Sequence, residues 1–305
     1  MSVNIPQHYV VQFATNIQLL LQQKGSKLRD TVTVGSYTGK QASPVDQVAA
    51  IAAQRVTGRF NPMQRVDAAV DRRWVFPQDY DLPQLIDTFD KLRLLLDPTS
   101  SFVTNATYAM GRAMDDEIIG AYFGTAQVGE QGGTARTFGT ALTTAGGQNV
   151  SVNVGGTASN LNVAKLRAAR LRLQQNEVDL DNDPIFVVCT ASQHDALLNE
   201  IQVVSSDFNR QDTPVMQEGK ITRFLGMNIL TCERLTTGTD DASGTSRQVA
   251  VYAKSGMHLG AWNDIQNDIR QRPDLQGLPF QTYTWGTFGA TRLEEPKIVR
   301  IWARE

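Results

Sequence analysis

The segment Asn267–Glu305, NDIRQRPDLQGLPFQTYTWGTFGATRLEEPKIVRIWARE, contains the pattern that decides the fold of this chain. It holds two extended stretches, Pro279–Thr291 and Lys297–Arg304, separated by a short acidic turn. The second stretch alternates with a period of two, as a half-buried strand does. The first stretch carries Tyr283 and Trp285, aromatic residues that pack well on a pleated sheet. We expect the two strands to pair as an architectural hairpin, because neither places a catalytic group at its end.

The composition excludes several classes of protein. The 305 residues are 41% hydrophobic and 20% charged, which suits one large domain or two intertwined domains with a substantial core. The net charge of −2 gives no global basic field of the kind that dedicated DNA-binding proteins carry. No apolar run approaches the roughly 20 residues of a membrane span, and no basic segment precedes an apolar run as in a signal peptide. We therefore expect no membrane association.

The two cysteines, Cys189 and Cys232, lie in apolar, strand-like runs. This placement predicts buried, reduced thiols, with a disulfide as the alternative. Cys189 precedes His194 by five residues, which is the one pattern in the chain that suggests nucleophilic catalysis. That spacing places the two side chains poorly for a hydrogen bond, and no glycine-rich turn surrounds the cysteine. The histidines are isolated, so we predict no catalytic residue, metal ligand or cofactor site.

The first thirty residues resemble an arm. Val11–Gln23 is predicted to form a short amphipathic helix with Phe13, Ile17 and Leu20 on one stripe. This stripe is too small to fold alone, so it must lie on the same subunit or on a neighbour. We predict that these three residues make inter-subunit contacts.

A polar excursion follows the arm. Thr31–Tyr37 alternates as a strand does, and Ala68–Phe76 is predicted to pair back with it. Glycine and proline punctuate the residues between them, where Lys40 and Arg59 are further predicted inter-subunit contacts. Because a long two-stranded protrusion is marginal in isolation, we expect a neighbouring molecule to cover it.

The strongest helical pattern starts at Asp97–Pro98, a good N-cap followed by proline at the first helical position. The pattern predicts a helix to about Phe123, with this apolar stripe: Val103, Thr107, Met110, Met114, Ile118 and Ala121. A helix of about 26 residues would be about 39 Å long, which suits a structural spine. Its acidic residues Asp115–Glu117 are predicted to form a solvated face, with Arg112 one turn before Asp116.

A compact α/β layer is predicted after a glycine-rich stretch, 124–160, whose clearest strand is Gln148–Val154. None of the glycine pairs in that stretch matches a phosphate-binding loop. The elements of the layer are a helix capped by Asn162, a buried strand Ile185–Cys189, a helix Thr190–Ile201 with Ser192 and Asp195 as a capping box, and strands Met227–Cys232 and Gln248–Ala253.

Two small basic clusters lie outside this layer. They are Arg72 with Arg73, and Arg270 with Arg272. Acids of a neighbouring subunit and nucleic acid are both conceivable partners. Because alternating charge elsewhere in the chain favours protein–protein contact, we predict that all four are inter-subunit contacts.

The order of these elements resembles that of the major capsid proteins of tailed bacteriophages, which have the Hong Kong 97-like fold. Segments spread along nearly the whole chain are similar to this family: Gln22–Val32, Asp71–Asp87, Ala109–Gly124, Gly219–Leu230 and Phe288–Ile301. Each segment is only moderately specific, and the specificity comes from finding all of them in the right order.

The resemblance implies an α+β fold of four parts. They are an N-terminal arm at 1–30, an extended E-loop at 31–80, a P-domain at 81–160 and 265–305 with its spine helix at about 98–123, and an A-domain at 161–264. The family has no active site.

The function implied by the resemblance is self-assembly into hexamers and pentamers of an icosahedral phage head around double-stranded DNA. Expected partners are the portal protein, a decoration or cement protein, DNA contacted non-specifically, and a separate scaffolding protein, since the arm begins close to Met1. The location would be the virion, assembled in the bacterial host cytoplasm. The alternatives are an encapsulin-type nanocompartment shell protein and, from another class, an α/β cysteine hydrolase centred on Cys189 and His194.

Overall fold

A computed structural model of the chain describes residues 20–55, 58, 65–86, 99–139, 147–154, 158–200, 219–239 and 245–305. The fold is α+β. The chain divides into two compact units. The first comprises Met1–Ser26, Asp79–Arg112 and Ile265–Gly286, and the second comprises Lys27–Gln78, Ala113–Asp264 and Thr287–Glu305.

Helices and strands alternate irregularly along the chain. The helices are α1 (Thr99–Phe123), α2 (Val163–Gln175) and α3 (Ala191–Leu198). The strands are β1 (Thr33–Ser36), β2 (Ala42–Val48), β3 (Val70–Val75), β4 (Gln78–Ile86), β5 (Ala126–Val128), β6 (Thr134–Arg136), β7 (Asn149–Val150), β8 (Ile185–Cys189), β9 (Arg223–Phe224), β10 (Met227–Thr231), β11 (Thr237–Thr239), β12 (Thr245–Ala253), β13 (Met257–Gln271), β14 (Phe280–Arg292) and β15 (Ile298–Ala303).

A seven-stranded sheet forms the core of the second unit, in the order β7-β15-β12-β8-β10-β9, with β11 beside β12. Alternate residues of the central strands, among them Val187, Val251 and Val299, point to one face and are fully buried. Helices α2 and α3 cover that face, with Leu166 and Leu197 in the same apolar cluster. The predicted α/β layer is therefore confirmed as a sheet with both short helices on one side.

The caps of these two helices differ in how well the sequence predicted them. The side chain of Asn162 accepts a hydrogen bond from the Lys165 N–H at 2.8 Å, as expected of an N-cap. The cap of α3 was predicted wrongly, because Thr190 and Gln193, rather than Ser192 and Asp195, form its capping box. The helix also ends at Leu198, short of the predicted end.

A chain of buried hydroxyls ties the end of α1 to the other face of this sheet. Tyr122 Oη donates to Tyr252 Oη at 3.0 Å, and Tyr252 lies 2.5 Å from Thr31 Oγ1, which donates to the Leu28 carbonyl at 2.6 Å. Burial raises the pKa of Tyr252 to about 12 and that of Tyr122 well above its usual value. Both phenols therefore stay neutral, and each is hydrogen-bonded.

Helix α1 confirms the predicted spine, but its acidic residues differ from expectation. Asp115 is fully buried rather than solvated, and its carboxylate accepts the backbone N–H groups of Lys27 at 3.0 Å and Leu28 at 3.1 Å. Asp116 pairs with Arg234 instead of Arg112. The prediction failed because these partners are about a hundred residues away in sequence, so no local spacing reveals them.

The predicted hairpin of β14 and β15 is wrong, although both strands exist where expected. Strand β14 lies between β13 and β4 in a four-stranded sheet, whereas β15 lies between β12 and β7 of the seven-stranded sheet. The short 3-10 helix Glu295–Lys297 separates the two strands. Because β15 is an interior strand, it is buried on both faces instead of half-buried.

The strand pairing of the polar excursion also differs from expectation. Strand β1 pairs in parallel with the start of β13, with Thr33 opposite His258. Strand β3, predicted as its partner, instead pairs antiparallel with β2, and the sheet continues in the order β2-β3-β5-β6. Strand β2 was missed because it contains Pro44 and few apolar residues, and its register shifts between Ala42 and Val45 at that proline.

Several predictions fall on residues of which less can be said. The predicted strand Gln148–Val154 is reduced to β7. Most of the predicted arm helix, and Asp97–Pro98, lie outside the described residues, while the described end of the arm, Leu20–Gln23, is not helical.

The guanidinium of Arg292 occupies the buried end of α1. Its Nη1 donates to the Gly124 carbonyl at 2.5 Å and its Nη2 to the Arg136 carbonyl at 3.2 Å, with further bonds to the last carbonyls of the helix. Glu295 lies 3.5 Å away, and Arg73 approaches the same carboxylate at 3.9 Å. Burial lowers the pKa of Arg292, and Glu295 opposes that shift, so the guanidinium stays charged.

We expect Arg292→Met to lower the free energy of unfolding of the isolated subunit by about 3–5 kcal/mol, because it leaves Glu295 and the helix-end carbonyls buried without their donor. Urea denaturation followed by circular dichroism measures the change. Arg234→Ala, which removes a half-exposed ion pair in the same unit, is the control, with an expected cost below about 1 kcal/mol. Equal midpoints for the two variants would contradict the role of Arg292.

His258 predicts a pH dependence of stability. Its Nδ1 lies 3.0 Å from Thr33 Oγ1, its Nε2 lies 2.8 Å from Tyr37 Oη, and burial lowers its pKa to about 4. Because the folded pKa lies below the unfolded value of about 6.5, the contribution of neutral His258 is present above pH 6.5 and is lost as the pH falls to about 4.

We therefore expect wild-type protein to lose up to about 2 kcal/mol more stability than His258→Gln between pH 7 and pH 4, since glutamine has no charge to acquire. Parallel stability–pH curves for the two proteins would show that this histidine titrates normally.

Candidate functional site

The predicted inter-subunit contact residues lie in different surroundings. Lys40 is exposed at the turn between β1 and β2, and Leu20 is 89% exposed. Phe13, Ile17 and Arg59 lie outside the described residues.

The two arginines of β3 have opposite environments. Arg72 is partly exposed, pairs with Asp46 across the β2–β3 hairpin and lies over the Trp74 ring at 5.7 Å. Arg73 is only 3% exposed and faces inward to Gln47 and Glu295. Their adjacency in sequence predicted one basic cluster, but adjacent residues of a strand point to opposite faces of the sheet. Arg73 thus belongs to the buried charge cluster of its own subunit.

The β2–β3 hairpin packs against the rest of its unit at its base, and its side chains become exposed further along. At the root, Val75 is 1% exposed, and the Trp74 indole N–H donates to the Gly129 carbonyl at 2.7 Å. Further out, apolar side chains are open to solvent, and we name these the hairpin apolar surface: Val48 (67% exposed), Ile51 (62%), Val66 (43%) and Val70 (70%). Their sequence pattern does not predict an apolar surface, because they are scattered singly among polar residues.

A groove of about 600 Å³ lies in the first unit, where β13 and β14 approach their connecting turn. We call it the arginine–aromatic groove; it is lined by Asp268, Arg270, Gln271, Arg272, Pro273, Gln281, Tyr283 and Trp285. The rings of Tyr283 and Trp285 stack with centroids 5.1 Å apart and planes at 25°. The structure thus brings the predicted Arg270 and Arg272 together with the two aromatic residues of β14.

The charges of this groove are fixed by local ion pairs. Arg270 pairs with Asp268, and Arg272 bonds both Asp274 at 2.5 Å and the Gln281 side chain at 2.7 Å. The hydrogen bond from Arg272 lowers the pKa of Asp274 to about 2. Arginine, tyrosine and tryptophan are the residue types most enriched at the energetic centres of protein interfaces. The groove therefore has the composition of a protein-binding surface.

The Cys189–His194 pair required by the hydrolase alternative does not form. Cys189 is fully buried, and burial raises the pKa of its thiol to about 12. His194 Nε2 instead accepts the backbone N–H of Ile221 at 3.1 Å. Both cysteines are free and buried. Over the described ranges, no His, Cys, Asp and Glu side chains cluster as a metal site would require, and no helix is long and apolar enough to cross a bilayer.

Comparisons with known proteins agree with this geometry. A family model described as phage capsid protein matches residues 5–305. No curated protein sequence matches the chain.

Solved structures of phage capsids resemble the chain. The capsid of the Cyanophage P-SCSP1u superposes with a TM-score of 0.73 at 13% identity, covering 98% of this chain and 94% of the other. The Cyanophage Pam1 capsid gives 0.70 at 12% identity, covering 98% of both chains, and the capsid of Ralstonia phage GP4 gives 0.67 at 9% identity, covering 100% and 99%. These identities are low, so the likeness establishes a shared fold. The chain belongs to the phage capsid protein family and has the Hong Kong 97-like fold of major capsid proteins.

Proposed function

We propose that this chain assembles into the hexamers and pentamers of an icosahedral phage head that encloses double-stranded DNA. The observation that supports the proposal is the hairpin apolar surface, because a two-stranded projection is only marginally stable by itself and is stabilised when another molecule covers its exposed valines and isoleucine. Because the chain belongs to the phage capsid protein family, we propose that the other molecule is a second copy of the same chain.

The energetics favour repeated association. Full burial of one valine or isoleucine side chain contributes about 1.5–3 kcal/mol, and the hairpin offers several per subunit. A single contact of this size only partly offsets the entropy lost on association, which is about 4–15 kcal/mol. A subunit that contacts several neighbours, through its hairpin and its arginine–aromatic groove, gains enough binding free energy in total to offset this entropy loss. Closed shells then become the stable state, whereas isolated pairs are weak.

The wider assignment follows the family. We propose a division into N-terminal arm (1–30), E-loop (31–80), P-domain (81–160 and 265–305) and A-domain (161–264). We also propose assembly in the bacterial host cytoplasm with a portal protein, a separate scaffolding protein, a decoration protein and non-specifically contacted DNA. An encapsulin-type compartment has the same fold but would enclose a cargo enzyme, so the contents of the particles distinguish the two.

The direct test is to express the chain with and without a neighbouring scaffolding gene product and to examine it by negative-stain electron microscopy. We expect closed particles or sheets of hexamers tens of nanometres across. Particles isolated from phage-producing cells should contain nuclease-protected double-stranded DNA. A monodisperse monomer or dimer under every condition would contradict the proposal, and an enzyme cargo in place of DNA would favour the compartment.

We expect Ile51→Asp to abolish particle formation while leaving the melting temperature of the free subunit unchanged, because Ile51 is 62% exposed in the subunit. Sedimentation of assembled against unassembled protein measures the effect. Gln54→Asp is the matched control, since it adds the same charge to an exposed position of the same segment without removing an apolar side chain. Particle formation by Ile51→Asp at wild-type concentration would show that nothing covers this surface.

We expect Trp285→Ala to raise the protein concentration needed for assembly about thirtyfold, which corresponds to about 2 kcal/mol at an interface hot spot. Trp285→Phe, which keeps a ring beside Tyr283, should retain most of the assembly. Light scattering across a concentration series provides the measurement. If alanine and phenylalanine behave alike, the aromatic groove is not a contact between subunits.

A further inference from the structure

The outer surface of α2 is basic. Arg167, Arg170 and Arg172 follow one another within Val163–Gln175, a helix that contains no acidic residue. Arg167 is exposed and Leu171, one turn later, is 54% exposed. We name Arg167, Arg170 and Leu171, which are spaced i, i+3 and i+4 on the helix, the basic helix face. Arg170 is held in place because its Nη1 donates to the Leu225 carbonyl at 2.7 Å, and the exposed Arg223 precedes that residue by two positions.

The arginines of this face lack carboxylate partners within the described part of their own subunit, where no ion pair joins them to an acid. One guanidinium nitrogen of Arg172, Nη1, is buried and has no hydrogen-bond partner. Burial lowers the pKa of Arg172, with no neighbouring acid to oppose the shift. Because that nitrogen is enclosed by its own subunit, a neighbouring molecule can reach only the exposed Arg167 and the partly exposed Arg170.

The complementary surface lies on the same chain. Directly after α2, the loop Glu177–Asp183 carries four acidic residues and no basic one, and we name it the acidic loop. The side chains of Glu177, Asp179 and Asp181 are exposed. The Asp183 carboxylate instead accepts hydrogen bonds from the backbone N–H and the hydroxyl of Ser255.

The acidic loop is pre-organised. The Asp179 carboxylate accepts the backbone N–H groups of Asp181 and Asn182, each at 3.1 Å, and the Asn182 side chain at 2.7 Å. These bonds, with no contribution from an arginine, lower the pKa of Asp179. Val178, 8% exposed, anchors the loop in the core of the second unit. A rigid, charged loop loses little conformational entropy on binding.

We propose that the basic helix face of one subunit binds the acidic loop of the next copy of the chain, within the same capsomer. Since each copy offers one surface of each kind, the contact is head-to-tail, and copies related by a closing rotation form a ring. A contact between charged surfaces mainly sets the partner, the register and the rate of association, while the apolar contacts supply most of the affinity. The inference rests on the proposed function and adds the residues that set the register of the ring.

The test is a charge exchange between Arg167 and Asp181. We expect Arg167→Glu and Asp181→Arg each to reduce the assembled fraction at fixed protein concentration at least about tenfold, and the double variant to recover to within about threefold of wild type. Circular dichroism should show unchanged melting of all three free subunits, because both residues are exposed. Assembly of the wild type should weaken with added salt, and the double variant should show the same trend.

The possible outcomes distinguish a failure of this contact from a failure of the proposed function. If the wild type forms particles and both single variants assemble equally well, this contact is overturned while the proposed function stands. If even the wild type never assembles, the proposed function itself fails. If the single variants form normal particles that retain less DNA, nucleic acid rather than a neighbouring subunit is the ligand of the basic helix face, and the contact is again overturned.

Discussion

The buried guanidinium of Arg292 is the interaction on which the second unit depends. It donates hydrogen bonds to the carbonyls at the end of α1 and to the Arg136 carbonyl. It also lies beside Glu295, in the turn before β15. Glu295 in turn approaches Arg73 at the root of the β2–β3 hairpin. A buried charge cluster of this kind adds little net stability compared with an apolar one, but breaking it is expensive. The cluster fixes the place where the end of α1, the turn before β15 and the root of the β2–β3 hairpin meet.

This charge cluster lies between the well-packed core of the second unit and the hairpin, whose apolar side chains are exposed. Inward of Arg292, the central strands β8 and β15 of the seven-stranded sheet are almost entirely buried, and the hydroxyls of Tyr122 and Tyr252 are hydrogen-bonded. Outward of Arg73, the hairpin exposes apolar side chains that its own subunit does not cover. Local stability in proteins follows the density of buried contacts. The subunit therefore combines a densely packed core with a projection whose apolar side chains it leaves exposed, which is what the proposed assembly requires.

The sequence predicted those parts that local rules control. The apolar spacing of α1 and α2, the Asn162 cap and the buried run of β8 are determined by residues within a turn or two of each other, and the structure confirms them. The family resemblance, based on segments in order, predicted the fold correctly. Most of the failures concern contacts between distant residues, and the wrongly predicted capping box of α3 is a local exception. The burial of Asp115 depends on backbone N–H groups of Lys27 and Leu28.

The candidate surfaces were harder to predict than the fold. Arg270 and Arg272 were identified as basic residues, but only the strand pairing brings them to Tyr283 and Trp285. Strand β2 was missed because Pro44 and the polar residues around it resemble a loop. Exposed valines on a hairpin cannot be distinguished from buried ones without knowing which strand faces them.

The central claim is that the hairpin is completed by a neighbouring subunit while the core is complete without one. Hydrogen–deuterium exchange, compared between free subunits and assembled particles, tests it most directly. We expect amides of 42–55 and 65–75 to gain strong protection on assembly, while β8 and β12 stay equally slow in both states. A hairpin that exchanges at the same rate in subunit and particle would contradict the account.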